Sequence, residues 1–299
     1  MIEHPVQKEE PKHLHALSAR IRNAAQTRNT TDVRLTAAIC NTAIGQMVPD
    51  GVVKGGTAMK LRIGESGSRF TPDFDASRRA GLSLEDYQEL LEQNLEKGWG
   101  GFTGRLIERK PSEPPGVPED YVMRPFDVKL SYKGKPIKTM RFELGRDEIG
   151  STEESVAVIA SDIVDLFREL GLPEPRPVPL LATEYQIAQK LHACTTPDGR
   201  ERNERAHDLV DLQLLVEFDP PNFIKLDNVG GRLFSARRVG AWPPKVVYWD
   251  GWDTIYASAA EGLDVLETVH GAIEWANNFI EEMLAASRPR VPEQEEGKE

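Results

Sequence analysis

The sequence predicts an α+β chain of two domains, the first mixing helices with strands and the second helical. Three observations carry this reading. The chain is 299 residues long, a length at which one core tends to give way to two. Apolar residues leave helical spacing for strict alternation within 99–145 and return to it afterwards. A proline-rich segment, PEPRPVP at 173–179, interrupts the pattern. The domains are therefore expected at 1–172 and 180–287, with 173–179 as a linker and 288–299 as a polar, flexible tail.

Each element follows from local pattern. Two helices are expected between about 13 and 48, the second capped by Thr31 or Asp32 and carrying Leu35, Ile39 and Ala43 along one face. VVKGGTAMKLRIG reads as an apolar lead, a double-glycine turn and a short helix, and RFTPDFDAS as a strand. Ser83 to Asp86 resembles a capping box, opening a helix that ends at Gly98. YVMRPFDVKLSYK and IKTMRFELG alternate around Lys133-Gly134-Lys135-Pro136 and form a hairpin. Beyond the linker, Thr183 and Gln186 box the start of TEYQIAQKLHAC. RAHDLVDLQLLVEF and a final segment near 263–286 are also helical.

Composition excludes several classes of function. Hydrophobic residues are 39% and charged residues 28% of the chain, too apolar for wholesale disorder. With 37 Lys and Arg against 48 Asp and Glu, the formal charge is -11, which excludes a generally basic protein that coats nucleic acid. Two cysteines, Cys40 and Cys194, are too few for a disulfide framework or a cysteine-rich zinc site. The start of the chain lacks the apolar core of a signal peptide, and no run reaches a membrane span of about 18 residues. A cytoplasmic protein without membrane contact is expected. His192 and His207 have no partners at metal-site spacing.

The strongest chemical signal joins two short segments. Gly55-Gly56-Thr57 is followed, sixteen residues after Thr57, by Asp73-Phe74-Asp75. Along a strand, Asp73 and Asp75 project from one face while Phe74 anchors the other. Paired carboxylates need a cation, and oxygen ligands of this kind suit Mg²⁺ shared with substrate phosphates. Gly55 and Gly56 permit close backbone approach, and the following helix offers N–H groups to an anion. Together these are the parts of phosphoryl or nucleotidyl transfer.

The segment KGGTAMKLRIGESGSRFTPDFDAS resembles the first motif of the DNA-polymerase-β-like nucleotidyltransferases, in the form found in AbiEii and MenT-type toxins. Lys54, Gly55, Gly56, Thr57, Arg69, Phe70, Thr71, Asp73 and Asp75 fall on that motif, with a longer spacer at Glu65–Ser68. A second block matches E-x-x-x-A-x-K-x-x-A and R-x-x-D-x-x-D through Glu184, Ala188, Lys190, Ala193, Arg205, Asp208 and Asp211. Independently of the resemblance, Lys190 sits at the border of an apolar helix face. Asp208 and Asp211 are i, i+3 neighbours.

The resemblance implies an N-terminal nucleotidyltransferase fold, a mixed sheet flanked by helices, with the active site in the cleft towards the helical domain. It implies a toxin that moves a nucleoside monophosphate from an NTP to an RNA 3′ end, with the tRNA acceptor stem as target. An antitoxin would be encoded by a neighbouring gene. Asp73 and Asp75 would bind Mg²⁺, with Glu143 as third carboxylate and Asp127 as its alternative. Lys54, Gly55, Gly56, Thr57, Thr71 and Asp211 would contact the nucleotide. Lys190 would neutralise the triphosphate, with Asp208 orienting it. Transfer to a protein or an antibiotic-like small molecule is the alternative, as is a non-catalytic nucleotide-binding protein.

Charge locates an acceptor surface. Residues 196–245 hold eight basic and eight acidic residues, so the acid excess lies elsewhere. Arg232, Arg237, Arg238 and Lys245, interleaved with Phe234 and Trp242, suit a surface that grips phosphates and stacks bases. Arg200, Arg202 and Arg205 extend it. The alternative is that these arginines pair with the acidic N-terminal domain.

Overall fold

A computed structural model describes residues 8–111, 122–196 and 202–287. The tail at 288–299 and Arg200 therefore lie outside the described residues. The chain forms two units, one of Met1–Ala182 with Glu261–Leu263, the other of Thr183–Ala260 with Asp264–Glu299.

The first unit opens with α1 (Leu14–Thr27) and α2 (Asp32–Gly45), the latter capped by the Thr31 side chain, which accepts from the Arg34 amide. Then come β1 (Gly51–Lys54), α3 (Gly55–Ile63), β2 (Asp73–Arg78) and α4 (Leu84–Lys97). Ser83 caps α4 by accepting from the Asp86 amide at 3.0 Å while its hydroxyl donates to the Asp86 carboxylate. Strands β3 (Phe102–Glu108), β4 (Arg124–Tyr132), β5 (Lys135–Gly145) and β6 (Val156–Val158) follow. Helix α5 (Ser161–Leu170) and strand β7 (Val178–Leu180) close the unit.

The seven strands form one mixed sheet, ordered β3-β4-β5-β2-β1-β7-β6. Strand β2 runs parallel to β5, and β1 parallel to β7, while the remaining pairs are antiparallel. Alternation along the central strands decides which residues enter the core. Phe74 and Phe142 stack at 5.3 Å between ring centres, with Phe126 edge-on to Phe142. Val53, Ala76 and Leu144 join them, packed against apolar residues of α2, α3 and α4. The residues between, Asp73, Asp75, Arg141 and Glu143, face the opposite side.

Two differences from the sequence expectation have clear causes. The proline-rich segment expected as a linker supplies strand β7. Val178 and Leu180 are buried while Pro179 faces out, and Leu181 donates to the Val53 carbonyl at 2.9 Å. Three residues suffice for this short strand, so no period was visible. Strand β3 carries no signal of its own in the sequence, and only its pairing with β4 makes it a strand.

The second unit is helical: α6 (Thr183–Thr195), α7 (His207–Phe218), α8 (Phe223–Arg237), α9 (Trp252–Ala260) and α10 (Val269–Ser287). Helix α8 escaped the sequence reading because Gly230 and Gly231 break its apolar stripe of Leu226, Val229, Leu233 and Phe234. Gly230 is required there. A Cβ on it would stand 2.2–2.5 Å from atoms of the Trp242 ring.

Candidate active site

The polar face of the central strands assembles the first unit's candidate site. Register places Asp73 opposite Arg141 and Asp75 opposite Glu143 across the parallel β2–β5 pair. On the other flank of β2, Lys54 lies opposite Asp75. Directly opposed residues share a face, so Lys54, Asp75 and Glu143 form one row and Asp73 and Arg141 the next. Both aspartates are half-buried. Glu143 thus adjoins the aspartates in register. Asp127 lies on β4, beyond β5, opposite Arg141 and 3.1 Å from the Arg109 guanidinium.

The double glycine fits against this face. Gly55 has φ +62°, and a Cβ on it would fall 2.0 Å from Asp75 Oδ2. At Gly56 a Cβ would fall 2.9 Å from the Cβ and Oγ1 of Thr71. The start of α3 is therefore packed directly onto a metal-type carboxylate and a threonine, a contact only glycine allows. Thr57 is fully buried, and its hydroxyl donates to the Asp73 carbonyl at 2.7 Å, tying α3 to β2. The Thr57 side chain is thus engaged within the fold. Lys54 is half-buried, its ammonium 3.6 Å from Met123 Sδ.

This donor set fits a divalent cation: two half-buried carboxylates on one face, a third beside them, and backbone held close by glycine. Among the described residues, however, no three His, Cys, Asp or Glu side chains converge as a ligand group. Glu143 turns instead to Arg141, whose Nε lies 3.1 Å from its Oε1.

A buried ionic cluster holds the spacer between the two motif halves. Lys60, on α3 and 1% exposed, forms a short ion pair with Glu65. Arg34 reaches the same carboxylate at 2.9 Å and also donates to the Glu65 and Ser68 carbonyls. Asp162, at the start of α5, accepts from the Glu65 amide at 2.8 Å. Burial pulls the Lys60 ammonium below its usual range, opposed by Glu65. A separation of five residues across a helix end leaves no periodic signature in the sequence.

The second unit brings Lys190, Asp208 and Asp211 together. The Lys190 ammonium, 5% exposed, donates to Asp208 at 2.9 Å and to Asp211 at 2.6 Å. Arg205 Nε adds a bond to the other Asp208 oxygen at 2.8 Å. Burial alone would raise the Asp208 carboxyl; Lys190 and then Arg205 outweigh it and hold the group well below the usual carboxylate range.

The basic strip is only partly a surface. Arg232, Arg238 and Lys245 are exposed, with Arg238 in the left-handed region at the end of α8. Arg237 is half-buried and meets His192 Nδ1 at 3.2 Å. Phe234 is 2% exposed and packs edge-on against His192, so it is a core residue and does not stack bases. Trp242 is half-buried, with its indole N–H donated to Asp227 at 2.7 Å.

The family model described as nucleotidyl transferase AbiEii toxin, type IV toxin–antitoxin system, matches residues 46–277. Among solved structures, MenT4, a nucleotidyltransferase toxin from Mycobacterium tuberculosis H37Rv, is similar over 91% of this chain and 99% of its own, with 17% identity and a TM-score of 0.44. The Megavirus polyadenylate synthase is similar over 68% of this chain and 35% of its own, at 12% identity and a TM-score of 0.34. No curated protein matches.

Proposed function

The chain belongs to the AbiEii family of nucleotidyltransferase toxins, and from that premise we propose that it transfers a nucleoside monophosphate from an NTP to the 3′ end of an RNA, with tRNA as the acceptor. The observation that carries the proposal is the contact between the double glycine and the acidic strand. The α3 start abuts Asp75 and Thr71 so closely that neither Gly55 nor Gly56 has room for a Cβ. This places backbone N–H groups, which suit phosphate, beside carboxylates, which suit Mg²⁺.

In this reading Gly55, Gly56 and the Thr57 amide bind the triphosphate, with Lys54 and Thr71 at its border. Asp73 and Asp75 hold Mg²⁺, with Glu143 completing the set; register favours Glu143 over Asp127. When bound, the metal lowers the pKa of the acceptor hydroxyl and offsets charge on the phosphates. The acceptor 3′ oxygen forms a bond to the α-phosphorus, its proton passes to solvent, and the bond to pyrophosphate breaks. In the second unit, Lys190, held by Asp208 and Asp211, supplies the charged part of the second family motif. Arg232, Arg238 and Lys245 grip RNA phosphates, with Arg237 behind them. No helix among the described residues is long and apolar enough to cross a membrane, and we place the reaction in the cytoplasm, restrained by an antitoxin from a neighbouring gene.

The test is incubation of the purified protein with total RNA and each labelled NTP in turn. Labelled tRNA is expected with the wild type and none with Asp73→Asn. Labelling of a protein or small molecule instead would overturn the choice of acceptor, and labelling by Asp73→Asn at the wild-type level would overturn the metal assignment.

A further inference from the structure

The polar face of β2 and β5 sets three carboxylates beside Arg141 and Lys54. Asp73, Asp75 and Glu143 occupy three corners of a four-residue patch, and Arg141 occupies the fourth. Asp127 faces Arg141 from β4, and Lys54 faces Asp75 from β1. Neighbouring carboxylates at cross-strand distance repel one another unless a cation sits among them. Of the acids around it, Arg141 engages Glu143, by Nε at 3.1 Å. That contact turns Glu143 along its own strand. It accounts for the failure of three carboxylates to converge although register sets Glu143 beside Asp75.

We propose that Arg141 is a built-in counter-ion that withholds Glu143 from the paired aspartates, so that Glu143 joins a divalent cation only by leaving Arg141. The inference rests on the metal reading above and deepens it. The strength of the hold is suited to that exchange. The side chains of Arg141 and Glu143 are 52% and 30% exposed, and an ion pair so open to water is weakly held. A divalent cation flanked by Asp73 and Asp75 attracts a third carboxylate more strongly than one exposed guanidinium does. Arg141 is thus a positioning residue, acting through Glu143.

The test measures metal uptake, with no turnover required. Mn²⁺ binding is followed by the electron paramagnetic resonance signal of the free ion, using the full chain as wild type, R141Q, E143Q and R141Q/E143Q. Circular dichroism checks that each variant is folded. Removing the competitor is expected to tighten Mn²⁺ binding about three-fold in R141Q. In the E143Q background the same substitution is expected to change nothing, because the carboxylate it acts through is gone. Equal tightening in both backgrounds would show simple loss of nearby positive charge and overturn the proposal, as would no tightening in R141Q. A wild-type protein that takes up no Mn²⁺ at all overturns the metal reading itself, a result distinct from the others.

Discussion

Gly55→Ala is the sharpest perturbation the geometry offers. Two penalties act at this position and they can be separated. The first is conformational: φ is +62°, and an L-residue in the left-handed region costs about 1–2 kcal/mol. The second is steric. The new methyl would lie 2.0 Å from Asp75 Oδ2, whereas apolar contacts settle near about 3.5 Å. Either the carboxylate or the start of α3 must therefore move by more than about 1 Å, and a displacement of that size at a reacting centre costs about 100-fold in rate. Gly134→Ala supplies the control, since Gly134 has φ +75° with nothing within 4 Å of a Cβ. Urea unfolding is expected to show a loss of about 1–2 kcal/mol in Gly134→Ala, with transfer of labelled nucleotide unchanged. Gly55→Ala is expected to lose at least as much stability and to drop transfer about 100-fold or more. Transfer at the wild-type rate in Gly55→Ala would refute the contact between the glycine turn and Asp75 as the element that sets the site.

The two buried ionic clusters lead to further expectations. Asp208→Asn leaves a buried lysine short of one carboxylate and is expected to cost about 3–5 kcal/mol in urea unfolding. Because the folded-state pKa of Asp208 is depressed, its contribution is complete above the unfolded carboxylate value of about 3.9 and declines only as pH falls below that. The stability gap between wild type and Asp208→Asn should then be equal at about pH 7 and pH 5 and narrow in stronger acid; a gap already closing at about pH 5 would contradict the assignment. In the first unit, Glu65→Ala strands the buried Lys60 ammonium and should cost more than Lys60→Met, because Glu65 then still keeps Arg34. The double variant should lose less than the two single losses added, and strict additivity would show that the pair is not coupled.

What the sequence revealed and what it concealed divide along the range of the interactions. The α4 cap was legible because Ser83 and Asp86 satisfy each other within one turn. The carboxylate face was legible because alternation alone sends Asp73 and Asp75 one way and Phe74 the other. Strands β3 and β7 were hidden, since a three- to seven-residue segment becomes a strand only through partners far along the chain. Phe234 was misread as a base-stacking residue for a related reason. Gly230 interrupts the stripe of α8, and its purpose, room for the Trp242 ring, is a tertiary contact. The Lys60–Glu65 pair shows the limit most plainly, because two charged residues five apart usually mark a solvated loop, yet here both are buried.

The double glycine and the acidic strand are better understood as one packing constraint than as two motifs. Taken separately, each is common: a Gly-Gly pair marks a turn, and Asp-x-Asp marks an acidic strand end. In the folded chain each limits the other. Gly55 must lack a Cβ because Asp75 stands where it would be, and Gly56 because Thr71 does. Thr57 in turn fixes the strand that carries the carboxylates, through its bond to the Asp73 carbonyl. Between Thr57 and Asp73, the Lys60–Glu65–Arg34 cluster and Asp162 anchor the spacer separately from the glycine turn. The longer spacer therefore leaves the geometry of the glycine turn against the carboxylates intact. The cations beside the carboxylates, Lys54 and Arg141, remain half-buried or exposed, where incoming phosphates and metal can compete for the partners they hold.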